Sequence, residues 1–331
     1  MSCVTQQAIA GLLFLFAMNS HAGDDAHDWL ARMSTTLREA NYRLSMVVSD
    51  GQRIEPVRMT HGVVDGESLS LIRYLNGPPR DVVQIGDSIS YFEADGSAYS
   101  ITNGRVAGPL PTVFSGDIDV LARNYDFVLG GRNRSAGEIV QQVRVTPRDK
   151  LRYSGVLWLD VNNAMPLRMD LLNHENELVE QIQVVEVENL ETAAPELTSL
   201  RALRLPPIVK ASEQPAAHGP DRKPLYGWVP PGFQLRYHDR HRLAVLGDMV
   251  DYYLLSDGWV DLSIYVQPQP QPPQETVIGG VDGSSGVVTA WQNGVEVAVV
   301  GRMPLDTLVQ VAMGVFGQGP AVAASEPLPQ P

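Results

Sequence analysis

Asn76-Gly77-Pro78-Pro79-Arg80-Asp81-Val82-Val83 leads through Ile85-Gly86-Asp87 into Tyr91-Phe92-Glu93, and this stretch settles the fold class. Val82-Val83 and Tyr91-Phe92 are strand formers, and the intervening turn residues supply the positive φ angles that tight hairpins need. A second stretch of the same kind runs from Arg152-Tyr153-Ser154-Gly155-Val156-Leu157-Trp158-Leu159-Asp160 to Met165-Pro166-Leu167-Arg168-Met169-Asp170-Leu171-Leu172. Asp160 to Met165 connects its two strands. The turn signal recurs at Asp50-Gly51, Asp65-Gly66, Asp95-Gly96 and Asn103-Gly104. Turns about 8 to 15 residues apart delimit antiparallel strands, not βαβ units.

Upstream, Asp25 is an N-cap, and Trp29, Leu30, Met33 and Leu37 make one apolar stripe at helical spacing. That helix is expected to end near Asn41. Tyr42, Leu44, Met46 and Val48 then alternate as a half-buried strand. Downstream, a short helix is expected from Asp117 to Asn124. Further strands are expected over Ile139–Thr146, Tyr153–Asp160, Pro166–Leu172 and Glu177–Val187.

The Pro-rich stretch from Leu205 to Lys223 has no period and reads as a linker. A second, smaller domain follows, with strands at Tyr252–Leu255, Val260–Val266, Gly286–Trp291 and Val295–Val300. Its last helix is placed with Pro304 at the first helical position. Gln267-Pro268-Gln269-Pro270-Gln271-Pro272-Pro273-Gln274 reads as an extended loop between strands, and a Pro-rich ligand for another domain is the rarer use of such a composition. The division expected is a leader over 1–22, a first domain over 23–204, a linker over 205–223, a second domain over 224–317 and a disordered tail over 318–331.

The leader rests on the apolar run Ala8 to Met18, too short to span a bilayer, and on Ser20-His21-Ala22 as a cleavage site. Its first seven residues hold no Lys or Arg. The sole cysteine, Cys3, lies inside it. The exported chain of about 309 residues would then be stabilised by its core and not by disulfides. The formal net charge of −13 argues against nucleic acid, whose binding rests on phosphate neutralisation.

No HExxH, Walker loop, GxSxG elbow or CxxC occurs, so an enzyme is not expected, and neither is a cofactor. His238 and His241, three apart, could share a helix face, but a structural metal site needs about four ligands and no partner is evident. Arg236, His238, Arg240, His241 and Arg242 form a basic cluster in an acidic chain. It reads either as a solvated loop or as a contact for an acidic peptide or phosphate, which arginine grips bidentately. Arg132, Arg134, Arg144, Arg148, Lys150 and Arg152 make a looser basic set. Met33, Met46, Met59, Trp158 and Met169 either fill a core or line an unclosed barrel that holds acyl chains.

Gly77-Pro78-Pro79-Arg80, Tyr91-Phe92-Glu93, Leu157-Trp158-Leu159-Asp160 with Pro166-Leu167-Arg168, and Trp228 with Pro231-Gly232-Phe233 together resemble the RseB/MucB family of sigma-E regulatory proteins. Ser256-Asp257-Gly258 and Val299-Val300-Gly301 extend the resemblance through the second domain. It spans about Asp25 to Val315. It implies an α+β protein of the periplasm, with a LolA/LolB-like unclosed antiparallel barrel and a smaller C-terminal domain. It further implies binding to the periplasmic part of the anti-sigma factor RseA (MucA), protection of that factor from proteolysis, release by mislocalised lipopolysaccharide, and homodimerisation. Side-chain type nominates Trp228, Phe233, Arg236, Arg240 and Arg242 for the peptide, and Met46, Tyr91 and Trp158 for lipid. A periplasmic lipid or lipoprotein carrier is the rival reading, against which the second domain speaks.

Overall fold

The computed structural model describes residues 25–93, 98–102, 110, 118–207, 226–242 and 249–318. The expected leader, the Asp95-Gly96 and Asn103-Gly104 turns, most of the linker and nearly all of the tail lie outside these residues.

The chain opens with helix α1 (Ala26–Glu39), started by a reciprocal capping box in which Asp25 accepts from the Asp28 amide and Asp28 from the Asp25 amide. The strands β1 (Asn41–Ser49), β2 (Ile54–Val64), β3 (Glu67–Tyr74), β4 (Arg80–Ile85), β5 (Ser88–Phe92) and β6 (Ala98–Thr102) follow as a meander. At the β2–β3 turn Asp65 and Gly66 take φ of 53° and 81°, the paired positive angles of a type I′ hairpin. After a short helix α2 (Ile118–Ala122) come β7 (Tyr125–Ser135), β8 (Glu138–Pro147), β9 (Ser154–Asp160), β10 (Pro166–Leu172) and β11 (Leu178–Leu190). Strand β11 returns beside β1, giving the order β6-β5-β4-β3-β2-β1-β11-β10-β9-β8-β7. Strands β6 and β7 do not pair, so the sheet stays unclosed.

Cross-strand register defines one inner face. Leu44, Met59, Ile72, Val82 and Tyr91 are successive partners in one row, and Val48, Ile182, Met169, Leu157 and Val143 in another. Ile89 near one edge and Val143 near the other share a single apolar cluster with Trp29, Leu30, Met33 and Leu37 of α1. Helix α1 packs on this inner face at one end, where its Thr36 hydroxyl donates to the Asn163 carbonyl, and the eleven strands form an open trough around it. The methionines expected to be either core or cavity wall are core: Met33, Met46, Met59 and Met169 are all buried. On the outer face, helix α3 (Pro195–Leu200), which the sequence reading missed, seals Leu69, Leu71 and Val83. Six residues are too few for a periodic signal, but Pro at its first position was a usable cue.

The smaller domain is one antiparallel sheet of β12 (Gln234–Arg242), β13 (Met249–Ser256), β14 (Asp261–Pro268), β15 (Val277–Asp282), β16 (Ser285–Gln292) and β17 (Val295–Gly301). Their order is β12-β13-β14-β17-β16-β15, and helix α4 (Leu305–Val315) covers one face with Leu308, Val311 and Ala312.

Four expectations need correction. The basic cluster is neither loop nor helix but edge strand β12, so the helix on which His238 and His241 would share a face does not form. Gln267 and Pro268 finish β14 opposite Glu296 and Val295, and Gln269 is held by its amide on the Gly294 carbonyl and by the Trp291 indole on its own carbonyl, so the Gln/Pro segment begins as sheet. Pro304 is the cap residue of α4, not its first helical residue. Pro206 and Pro207, assigned to the linker, accept hydrogen bonds from the Ser100 hydroxyl and amide along edge strand β6.

Candidate functional site

The end of the trough away from α1 is closed by the smaller domain, and the closure is polar at its centre. Arg152, just before β9, has a fully buried side chain. Its Nε lies 2.7 Å from Asp257 Oδ2, whose side chain is equally inaccessible. Its two terminal nitrogens donate to Asp149 and to the Pro231 carbonyl. The guanidinium stands 5.6 Å from the Tyr125 ring centre and 5.3 Å from that of Phe233. The Arg152 Nε meets Asp257 as an ion pair without hydrogen-bond alignment, whereas both Asp257 oxygens accept hydrogen bonds. Oδ1 accepts from the Trp259 and Val260 amides at 2.9 and 2.8 Å, and Oδ2 accepts the Tyr125 hydroxyl at 2.7 Å. Burial first, and the Asp257 charge second, push the Tyr125 hydroxyl well above the ordinary phenol range. A charge pair removed from water is strongly destabilised when either charge is missing, and here the two charges are supplied by two domains.

Steric fit surrounds this clasp. A Cβ on Gly155 would lie 1.9 Å from Trp259 Cζ2, so the glycine is the seat of that ring on the inner face of β9. Gly232, at φ of 91°, sits against the Asn124 side chain in the same way. Across the trough a second tie has opposite polarity. Glu180 of β11, 2% exposed, accepts from Ser284 Oγ at 2.6 Å and pairs with Arg302 at 3.3 Å. Arg53 and Asp282 add an exposed pair at the rim.

Two tyrosine pairs flank the junction. Tyr91 and Tyr99 stack at 5.0 Å on the trough side, and Tyr252 and Tyr265 at 4.8 Å on the small-sheet side. Burial chiefly raises the Tyr91 hydroxyl, with Tyr99 and Tyr252 adding to it, which places the two pairs within electrostatic reach. Burial pushes Tyr252 up to about 12.

The nominated residues are distributed as follows. Trp228 is half-buried against Gly314 of α4 within the smaller domain, and Phe233 is half-buried under Arg152, which places Phe233 at the junction. Arg236 is exposed at a bulge of β12. Arg240 and Arg242 lie farther along that strand opposite Asp251 and Met249, and their side chains fall outside the described residues. Met46 and Tyr91 share the inner face, Met46 buried and Tyr91 partly so. Trp158, paired with Arg168, lies on the outer face with that guanidinium 4.4 Å above its ring, so the structure does not bring the lipid trio together. The clasp residues Tyr125, Arg152, Asp257 and Trp259 and the glycine seat were missed as a group. Arg152 heads one quoted motif and Asp257 centres another, but nothing in spacing connects positions about a hundred residues apart.

Outside the junction, Arg43 bridges Glu188 and Glu196 at the wall of an outer-face pocket of about 220 Å³. Among the described residues Asp25, His27 and Asp28 place a ligand atom each within 4.8 Å of one another, an exposed group whose His27 is spent on Asp119. No helix among the described residues is long and apolar enough to cross a membrane.

Known proteins match over nearly the whole chain. The model of the MucB/RseB N-terminal domain matches residues 25–208, and that of the MucB/RseB C-terminal domain residues 224–316. Sigma-E factor regulatory protein RseB of Salmonella typhimurium is 30% identical over 305 residues, covering 92% of this chain and 94% of its own. Sigma factor AlgU regulatory protein MucB of Pseudomonas aeruginosa is 28% identical over 311 residues, covering 91% and 94%. Among solved structures, MucB in complex with MucA(peri) is similar at a TM-score of 0.68 and 27% identity, covering 88% of this chain and 98% of that one. These relatives are regulators and not enzymes, and the two domain matches together span the trough, the clasp and the small sheet: the chain belongs to the MucB/RseB family.

Proposed function

We propose that this chain is a periplasmic negative regulator of an envelope-stress sigma factor, acting by binding the periplasmic segment of the cognate anti-sigma factor. One observation carries this reading: a MucB crystallised with MucA(peri) is similar to both domains of this chain, with 98% of its length covered. The finer steps follow from physical logic. A segment held by the regulator cannot adopt the extended form that a protease needs. A mislocalised lipopolysaccharide would free it only by binding the partner-free state of the regulator more tightly than the partner-bound state. Phe233 and Trp228 already have partners within the chain, so direct contact falls to exposed groups such as Arg236.

The test is calorimetric titration of the chain beginning at residue 23 with the periplasmic segment of the anti-sigma factor from the same genome, with and without lipopolysaccharide. Binding that the lipid weakens supports the whole scheme. Binding that ignores the lipid keeps the shield and removes the sensor. No binding refutes the proposal.

A further inference from the structure

The two edges of the trough are treated differently by the chain. The β6 edge is covered by Pro206 and Pro207, whose carbonyls take the Ser100 amide and hydroxyl while proline offers no amide to a stranger. The β7 edge has no such cover among the described residues. All seven residues from Val128 to Arg134 are exposed there, and no strand pairs with their outer side. Two are large and apolar, Val128 at 53% and Leu129 at 41%, and Ile139 on the neighbouring strand is 57% exposed. Register places Leu129 opposite Val143, Arg132 opposite Gln141 and Arg134 opposite Ile139, all on the inward side of the sheet. Gly130 and Gly131 form a bulge between them, and a Cβ on Gly130 would lie 2.4 Å from Gln142 Oε1. The hairpin end therefore presents an apolar patch beside two guanidinium groups. Neither arginine is paired with a carboxylate among the described residues; the Arg134 guanidinium donates through Nε to the Gly137 carbonyl within its own turn.

Charged edges often serve merely to repel other strands. That role does not account for an eleven-residue strand with exposed Val128 and Leu129 in a chain of net charge −13. The small sheet has two further edges: β15 exposes Val277, Ile278 and Val281 but its Asp282 is tied to Arg53, and β12 is basic but, among its described side chains, exposes only Leu235 as a large apolar residue. We infer that the Val128–Arg134 edge is a docking strand for an extended acidic polypeptide segment. That segment adds a strand to β7 and sets carboxylates two residues apart against Arg132 and Arg134, while its alternate apolar side chains fall on the other face, where Val128 is exposed. Main-chain hydrogen bonds supply affinity and the alternate side chains supply selection. The inference deepens the proposed function, because it rests on this chain binding a polypeptide partner, and it names the edge and the sequence pattern.

The probe is a short synthetic peptide in which Val and Glu alternate, with a Val/Lys peptide as control, added to the chain beginning at residue 23. The expected result is slowed amide exchange within Val128–Arg134 with the Val/Glu peptide only, and affinity reduced about tenfold or more in the double variant Arg132→Glu/Arg134→Glu, whose exposed positions leave folding intact. Protection elsewhere, no protection, or equal response to both peptides overturns the docking strand. The anti-sigma segment separates this from the broader proposal. A segment that binds without protecting β7 or displacing the Val/Glu peptide leaves the regulator reading standing and removes the edge from it. A segment that does not bind, beside a Val/Glu peptide that does, removes the regulator reading and keeps the edge.

Discussion

The trough is closed at both ends, and the two closures are built from opposite chemistry. At one end α1 lays Trp29, Leu30, Met33 and Leu37 onto the sheet, an apolar seal from one contiguous helix. At the other, a turn of the smaller domain brings Asp257 to Arg152 and Trp259 to Gly155. Apolar burial is non-directional and gains with each contact. A buried ion pair is conditional: with both partners it roughly breaks even, and with one it is strongly unfavourable. The α1 end therefore belongs to the folding of the first domain, whereas the clasp acts as a fastener between two domains.

The comparison breaks most visibly at the clasp. Arg152→Ala leaves Asp257 buried without its cation and is expected to cost about 3–5 kcal/mol in urea unfolding. The pair replacement Arg152→Met/Asp257→Leu is expected to recover most of that loss, because no charge is then stranded. Failure of the double variant to recover would mean that the ion pair itself contributes the stability. At the opposite end Leu30→Ala removes a fully buried side chain and should cost about 2–5 kcal/mol, added to the clasp variants without coupling, since distant sites are additive.

Smaller effects sharpen the contrast within the α1 end. Asp25→Ala removes the cap accepting the Asp28 amide and should cost about 1 kcal/mol, read by the same unfolding series. The smallest expected effect is a pH dependence from His61, whose ring stacks on Tyr42 at 4.9 Å and bonds to the Ala40 carbonyl and Ser68 hydroxyl. Burial, partly opposed by the Ala40 carbonyl, lowers its pKa below the ordinary 6.5. Above that pH both folded and unfolded forms are neutral and the group contributes nothing. Below it the unfolded chain binds the proton first, so stability should fall as the solution is acidified. A His61→Gln variant should lack that part of the slope.

The same contrast explains what the sequence made legible. The Asp25 cap, the 3.6-residue stripe of α1, the alternation of β1 and the Asp65-Gly66 turn are local, and the corresponding elements were expected within a residue or two. The clasp was not legible, because Tyr125, Arg152, Asp257 and Trp259 meet only through the topology of two domains. Strand β12 was missed because its charged residues mask the β pattern, and α3 because it is too short to show a period. Trp158 was nominated with Met46 on residue type alone, whereas face is set by register: one position along β9 separates Trp158 from the inward-facing Leu157.

Calorimetric unfolding of the chain beginning at residue 23, compared across wild type, Arg152→Ala and Leu30→Ala, tests the central claim most directly. If the clasp fastens two separable domains while α1 is integral to one, Arg152→Ala splits a single transition into two, and Leu30→Ala lowers the transition without adding a second. If both variants simply lower one transition by similar amounts, the two closures are equivalent parts of one cooperative unit and the account is wrong.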